Sequence, residues 1–282
     1  MDTTPENSSL TSSATGQSEP VGSGVESSAS SLLSLRDITK SFGAVQALRH
    51  VDLDIPAGQV TALIGDNGAG KSTLIKTISG IWAPTSGTMY WQGQGVQVHT
   101  PRDASHLGIA TVYQDLALCD NLDVVQNMYL GRESTRAGLL DEITMELATT
   151  QTLKDLAVTS VKSVRQVVGS LSGGQRQAVA VARAVMRESK LVILDEPTAA
   201  LGVTQTAQVL ELIRTLSSKG IAVLLISHNL NDVFSVADRI AVMYLGTLVH
   251  HGPIANYDRN SAVEMITTGK SDRVPSSLAS SN

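Results

Sequence analysis

Nine consecutive residues, Gly65-Asp66-Asn67-Gly68-Ala69-Gly70-Lys71-Ser72-Thr73, fit the spacing G-x-x-x-x-G-K-[ST], and the chemistry of that spacing is phosphate binding. Its glycines keep Cβ atoms out of the way so that backbone N–H groups can turn inward, and a helix starting behind them adds the positive end of its dipole. Lys71 would then reach the β- and γ-phosphates of a nucleotide, and Ser72 would offer a hydroxyl ligand to Mg²⁺. Such a loop needs a strand before it and a helix after it. Val60-Thr61-Ala62-Leu63-Ile64 reads as a buried strand, and Leu74, Ile75 and Ile78 fall at helical spacing. Nucleotide binding is the expectation.

A second group of chemical residues follows the short apolar run Leu191-Val192-Ile193-Leu194. Asp195 and Glu196 come directly after it, which places two adjacent carboxylates at a strand end. Asp195 suits Mg²⁺, directly or through water, and Glu196 is placed to polarise an attacking water as a general base. Another apolar strand, Ile221 to Ile226, ends at Ser227-His228.

The elements that must hold these residues can be read in chain order. Leu33 to Ile38 resembles a strand, and Val51 to Ile55 alternates with period two. Pro56-Ala57-Gly58 turns the chain into the strand before the glycine loop, and Thr88 to His99 reads as a hairpin bent at Gln92-Gly93-Gln94-Gly95. These antiparallel strands suggest a small β-subdomain. Gly108 to Tyr113 reads as a further strand, ending at Gln114. From there to about Ser170 apolar spacing is helical around Val124 to Leu130 and from Met145 to Leu156, with no strand pattern, which suggests an inserted helical subdomain over about 115–187. Gln175 to Arg187 reads as a small-residue helix, and Thr204 to Ser217 as an amphipathic one with Ala207, Leu210, Ile213 and Leu216 on one stripe. Strands alternating with helices imply an α/β fold whose parallel sheet carries its ligand at the strands' carboxyl ends.

Composition sets the limits. The chain has 282 residues, 42% of them hydrophobic but only 3% aromatic, so the core must be aliphatic. A net charge of −5 argues against a polyanion-binding surface, and nucleic acid is not expected as a partner. Cys119 is the single cysteine, so neither an internal disulfide nor a thiolate cluster can form within one chain. His250 and His251 would be neighbours on a strand and point to opposite faces, a poor chelate. The longest apolar run is too short to span a bilayer, and the N-terminus lacks a basic segment followed by an apolar core, so the chain is expected to stay on the side where it is made. Residues 1–31, rich in Ser, Thr, Gly, Glu and Pro, read as a disordered tail, with a second polar tail at 270–282.

Between the glycine loop and Asp195 stands Leu171-Ser172-Gly173-Gly174-Gln175, which resembles the signature motif of the ATP-binding cassette superfamily. The resemblance covers about residues 32–269. It implies a phosphate-loop NTPase core with a small antiparallel β-subdomain and an inserted helical subdomain, and it implies ATP and Mg²⁺. In that family Ser172, Gly173, Gly174 and Gln175 would start a helix that faces the γ-phosphate bound by an opposing subunit, so two cassettes, here two copies, would bury two ATP molecules. Phe42 resembles the aromatic residue that stacks on adenine, where the family more often has Tyr. Gln114 resembles the glutamine that senses Mg²⁺ and the γ-phosphate while linking the core to the helical subdomain. His228 resembles the histidine that contacts the γ-phosphate and orders the attacking water. One departure follows Pro197-Thr198-Ala199-Ala200-Leu201, where the family's aspartate is replaced by Gly202.

The phosphate loop together with Tyr129-Leu130-Gly131-Arg132-Glu133 is similar to the ATPases of bacterial sugar importers of the ribose, xylose and fructose group. That similarity implies integral membrane permease subunits as direct partners, an extracytoplasmic sugar-binding protein as an indirect one, and a peripheral place on the cytoplasmic face of the plasma membrane. A soluble cassette ATPase acting on ribosomes, chromosomes or repair substrates stands as the alternative.

Overall fold

The computed structural model describes residues 31–136, 138–186 and 188–271. The tails expected at 1–31 and 270–282 lie outside the described residues, apart from Ser31, Lys270 and Ser271. In chain order the elements are β1 (Ser31–Phe42), β2 (Val45–Pro56), β3 (Val60–Gly65), α1 (Lys71–Ile78), β4 (Ser86–Trp91), β5 (Gln94–Val96), α2 (Pro101–Leu107) and β6 (Ile109–Val112). There follow α3 (Val124–Tyr129), β7 (Thr135–Arg136), β8 (Leu139–Leu140), α4 (Glu142–Asp155), a 3₁₀ turn (Val168–Ser170) and α5 (Gly173–Val185). The chain continues through β9 (Leu191–Asp195), α6 (Val203–Ser218), β10 (Ala222–Ile226), α7 (Leu230–Val236), β11 (Arg239–Tyr244), β12 (Thr247–Pro253), a second 3₁₀ turn (Ile254–Asn256) and α8 (Arg259–Thr268).

Two sheets organise the molecule. The 6-stranded sheet runs β12-β11-β3-β10-β9-β6, and every neighbouring pair from β11 to β6 is parallel. The 4-stranded sheet runs β2-β1-β4-β5 and is antiparallel throughout. Parallel strands are covered on both faces and so read as unbroken apolar runs. All six residues of β3 and all five of β10 are buried. One face of the central sheet packs Ala62, Ile64, Leu194 and Leu225 with α5 and α6, and the helices after Gln114 add Val124, Met128 and Leu153 to the same cluster. The other face packs Leu63, Ile193 and Leu224 with α1 and the antiparallel sheet, including Leu33, Leu53 and Ile55. The fold is the expected α/β cassette core with a small antiparallel sheet.

Three local readings change. Strands β1 and β2 run longer than the alternation indicates, because Asp37 and His50 adopt positive φ of 55° and 48° where the pairing slips. A bulge resets the inside-outside order, and period-two counting stops there. The buried stripe of α6 is Val209, Leu212, Ile213 and Leu216, whereas Ala207 is exposed and Leu210 half-buried. Positions 207, 210, 213 and 216 recur every third residue and drift off the 3.6-residue repeat, whereas Val209, Leu212, Ile213 and Leu216 follow it and pack. Finally, β7 and β8 form a two-residue hairpin in a stretch without strand pattern, too short for any periodicity to register.

Candidate nucleotide site

Parallel topology brings the chemical residues to one edge. Strands β3, β10, β9 and β6 are successive neighbours, and their carboxyl ends open into the glycine loop, Ser227-His228, Asp195-Glu196 and Gln114 respectively. The register is tight: Ile226 pairs with Leu63 on one side and with Asp195 on the other, and Val112 pairs with Leu194. Crevices outside the carboxyl ends of parallel strands are where such folds hold ligands.

The glycine loop is shaped for an anion. Gly70 is the N-cap of α1 in the left-handed region, at φ 104°, with no side chain to cap the helix, so the first N–H groups of α1 remain available to a bound group. A Cβ on Gly70 would lie 2.9 Å from the Ala47 carbonyl oxygen and 3.0 Å from Met243 Cε. Gly70→Ala should therefore cost about 1–3 kcal/mol through backbone strain, read as a lowered urea midpoint. The turn between β11 and β12 braces the loop from behind, Gly246 N–H donating to the Ala69 carbonyl at 3.0 Å. Asp66, Asn67, Gly68, Ser72 and Thr73 line the open hollow beside the loop, together with Gln46 and Arg49. Arg49 is not visible in the motif, because it comes from β2.

Lys71 folds back over this loop, its Nζ donating to the carbonyls of Gly65 at 2.7 Å and Asp66 at 3.0 Å. Burial pushes its ammonium below the ordinary lysine value, and Glu196, Asp66 and Asp195 pull it back up. Asp195 is raised by burial and by the adjacent Glu196 charge, with Lys71 and Lys76 opposing. The two carboxylates therefore compete for the local positive charge, a situation that an added cation relieves.

Glu196 adopts φ 50°, a left-handed conformation that costs a non-glycine residue energy and clusters at functional sites. Its N–H donates to the Ile226 carbonyl at 3.0 Å, and its Oε2 lies 2.8 Å from His228 Nδ1. The His228 side chain is 75% exposed and that of Glu196 17%, so the pair presents one solvent-facing and one sheltered member. Gln114 is exposed just beyond β6. The loop after it is pinned to α5 by Arg183, which donates to the carbonyls of Ala117 at 2.9 Å and Leu116 at 2.8 Å. Fully buried Asn127 folds the same loop by donating to the carbonyls of Cys119, Leu122 and Asp123. Neither residue stands out in sequence, where Arg183 is one cation in an Ala-Val helix.

Phe42 ends β1, 42% exposed, with its ring 4.7 Å from that of Trp82 at 73°. Trp82 in turn lies under the Lys76 ammonium at 4.6 Å. Ser172 caps α5: its Oγ accepts from Gln175 N–H at 3.4 Å while its own N–H donates to Gln175 Oε1 at 2.8 Å. Gln175 Nε2 also donates to the Ser160 carbonyl at 2.5 Å, so both ends of that amide are engaged in fixing the helix start. Gly173 and Gly174 lie against Leu201 and Gln205, respectively. The structure thus gathers the phosphate loop, Asp195, Glu196 and His228 in one place, while the start of the signature helix lies against Leu201 and Gln205. Among the described residues no group of three His, Cys, Asp or Glu could hold a metal ion.

This combination of sheet, phosphate loop and signature helix defines an ATP-binding cassette, and residues 48–199 match the family model described as ABC transporter. The chain belongs to that family. It is 46% identical over 239 residues to the xylose/arabinose import ATP-binding protein of Sulfolobus acidocaldarius, covering 85% of this chain and 95% of that protein. To the fructose import ATP-binding protein of Rhizobium meliloti it is 44% identical over 246 residues, again covering 85% and 95%. Among solved structures, an ABC transporter's ATP-binding cassette in its ADP conformation superposes with a TM-score of 0.72 at 28% identity, covering 84% of this chain and 95% of that one.

Proposed function

We propose that this chain is the ATP-hydrolysing subunit of a sugar importer. The observation that carries the reading is the single sheet edge holding the phosphate loop, Asp195, Glu196 and His228, in a chain whose relatives are named as import ATP-binding proteins for xylose/arabinose and fructose. ATP phosphates take the place of the Gly65 and Asp66 carbonyls as acceptors for Lys71, and the α1 N-terminus supplies further N–H donors. Glu196 accepts the proton of the attacking water, and His228, beside it, orders that water against the γ-phosphate. Phe42 offers its exposed ring to the adenine. Gln114, at the strand end nearest the helices that follow, carries the state of the γ-phosphate to the loop held by Arg183 and Asn127.

The donor set suits Mg²⁺. Ser72 supplies a hydroxyl and Asp195 a carboxylate, with the Gln114 amide oxygen as a third, all hard oxygen ligands of the kind Mg²⁺ takes. The raised Asp195 carboxyl is what such a site produces before a cation arrives. Bound Mg²⁺ would neutralise phosphate charge during hydrolysis.

Ser172, Gly173 and Gly174 form a second anion-binding helix start that the phosphate hollow of the same chain does not use, and this supports a sandwich of two copies in which each signature covers the other copy's ATP. Gly202 sits at the N-cap of α6 with its N–H 3.4 Å from Gln205 Oε1, and a Cβ there has open space. Gly202→Asp should leave stability within a few tenths of a kcal/mol while changing the Hill coefficient of ATP hydrolysis. An unchanged coefficient would remove position 202 from communication between sites.

No helix among the described residues is long and apolar enough to cross a membrane. The chain acts as a peripheral engine on the cytoplasmic face, docked on permease subunits, with the sugar delivered by an extracytoplasmic binding protein. Copurification tests this: the Glu196→Gln variant is extracted from native membranes in mild detergent with ATP and Mg²⁺. Recovery of a multi-span permease is the expected result. Recovery of ribosomal, chromosomal or other soluble partners in its place overturns the transport reading and leaves the nucleotide chemistry standing.

A further inference from the structure

The loop carrying Glu196 and the helix that follows His228 are joined by a side-chain bond. Thr198 Oγ1 donates to Asp232 Oδ2 at 2.7 Å, and Asp232 is only 6% exposed on α7. Thr198 stands just beyond Glu196 on the chain, and Asp232 one helical turn beyond His228. Sheet pairing between β9 and β10 ends at Asp195 and Ile226. Past that point the described polar contacts between the two segments are Glu196 N–H to the Ile226 carbonyl, the Glu196–His228 pair itself and the Thr198–Asp232 bond.

We propose that Thr198 and Asp232 form a latch that positions Glu196 against His228 for hydrolysis. This rests on reading Glu196 as the general base and His228 as its partner. The backbone here resists its own conformation, with φ of 50° at Glu196 and 61° at Ala200. Such strain persists only where surrounding contacts over-determine it. One end of the latch is rigid, because Val233 and Val236 bury α7 in the core beside Asp232 and Arg214 holds the Ser235 carbonyl at 2.6 Å. The other end is a tight turn, closed by Ala199 N–H to the Glu196 carbonyl at 3.1 Å and Leu201 N–H to the Thr198 carbonyl at 3.3 Å. Asp232 stands in the first turn of α7, where a carboxylate suits the helix dipole, and its buried Oδ2 is satisfied by the Thr198 hydroxyl. Leu201, leaving the tight turn, reaches the backbone of Gly173, so a shift of the latched loop is also felt at the start of the signature helix.

The test is steady-state ATP hydrolysis by Thr198→Val, which keeps the shape and removes the hydroxyl, with Thr198→Ser as the conservative rescue. Misplacing a catalytic group by about 1 Å costs on the order of 10- to 100-fold, so kcat should fall by that order with KM for ATP nearly unchanged, and Thr198→Ser should restore it. In a Glu196→Gln background Thr198→Val should slow the residual rate no further. Should Thr198→Val fold poorly around an unpaired Asp232, Thr198→Val with Asp232→Leu removes both polar groups and should show the same loss of kcat. Full turnover by Thr198→Val, or an equal slowing with and without Glu196, overturns the latch. If Glu196→Gln alone hydrolyses ATP at the normal rate, the base assignment falls and the latch with it; a slow Glu196→Gln beside a full-rate Thr198→Val strikes the latch alone.

Discussion

Glu196→Gln is expected to lower the ATP hydrolysis rate by about two to four orders of magnitude, the range that removal of a positioned general base commands, while ATP affinity stays within about a factor of two of the starting protein. The amide keeps the size of the carboxylate and its approach to His228, now 2.8 Å from Oε2, but it cannot take a proton from water. The backbone geometry should survive, because the bond from the residue's own N–H to the Ile226 carbonyl does not involve the side chain. Binding and chemistry should therefore separate cleanly. With hydrolysis blocked, ATP-bound pairs of chains should accumulate and be visible by light scattering at twice the single-chain mass. Phosphate release measured under single-turnover conditions decides the matter, and an unchanged rate would remove Glu196 from the base role.

Lys71→Ala should act on binding itself. Its ammonium makes two bonds to loop carbonyls in the free protein, and those are the donors that phosphate oxygens would take over. A hydrogen bond to a charged partner contributes about 1.5–3 kcal/mol, which at about 1.4 kcal/mol per decade is a loss in ATP affinity of roughly 10- to 150-fold. Thermal melts make the loss visible without any activity assay. At a ligand concentration about 100 times Kd, ATP stabilises the starting protein by about 2.7 kcal/mol, and a hundredfold weaker variant keeps only about 0.4 kcal/mol of that. The ATP-induced rise in Tm should nearly vanish, while Tm without nucleotide moves little. A full ATP-induced shift in Lys71→Ala would place the phosphates elsewhere.

Much of this site was legible from residue order because each chemical group follows a strand that reads as an apolar run. Val60–Ile64 ahead of the glycine loop, Leu191–Leu194 ahead of Asp195 and Ala222–Ile226 ahead of His228 are buried on both faces, and burial on both faces leaves a signal that needs no alignment. What escaped was non-local or irregular. The bulges at Asp37 and His50 break the alternation on which strand lengths are counted. Arg49 enters the phosphate hollow from β2, Trp82 meets Phe42 from the loop behind α1, and Arg183 reaches back from α5 to the carbonyls after Gln114. Thr198 and Asp232 lie 34 positions apart. Such pairings depend on how the sheet stacks its loops, which residue spacing does not encode.

If, as proposed, the signature helix of a second copy completes each phosphate site, thiol cross-linking between copies should report it. In a Cys119→Ser background, chains carrying Ser172→Cys are mixed with chains carrying Asn67→Cys and treated with a short bismaleimide. The expected result is a cross-linked pair that forms with ATP, is enhanced by Glu196→Gln and disappears without nucleotide. Cross-linking indifferent to ATP, or none in its presence, would contradict it.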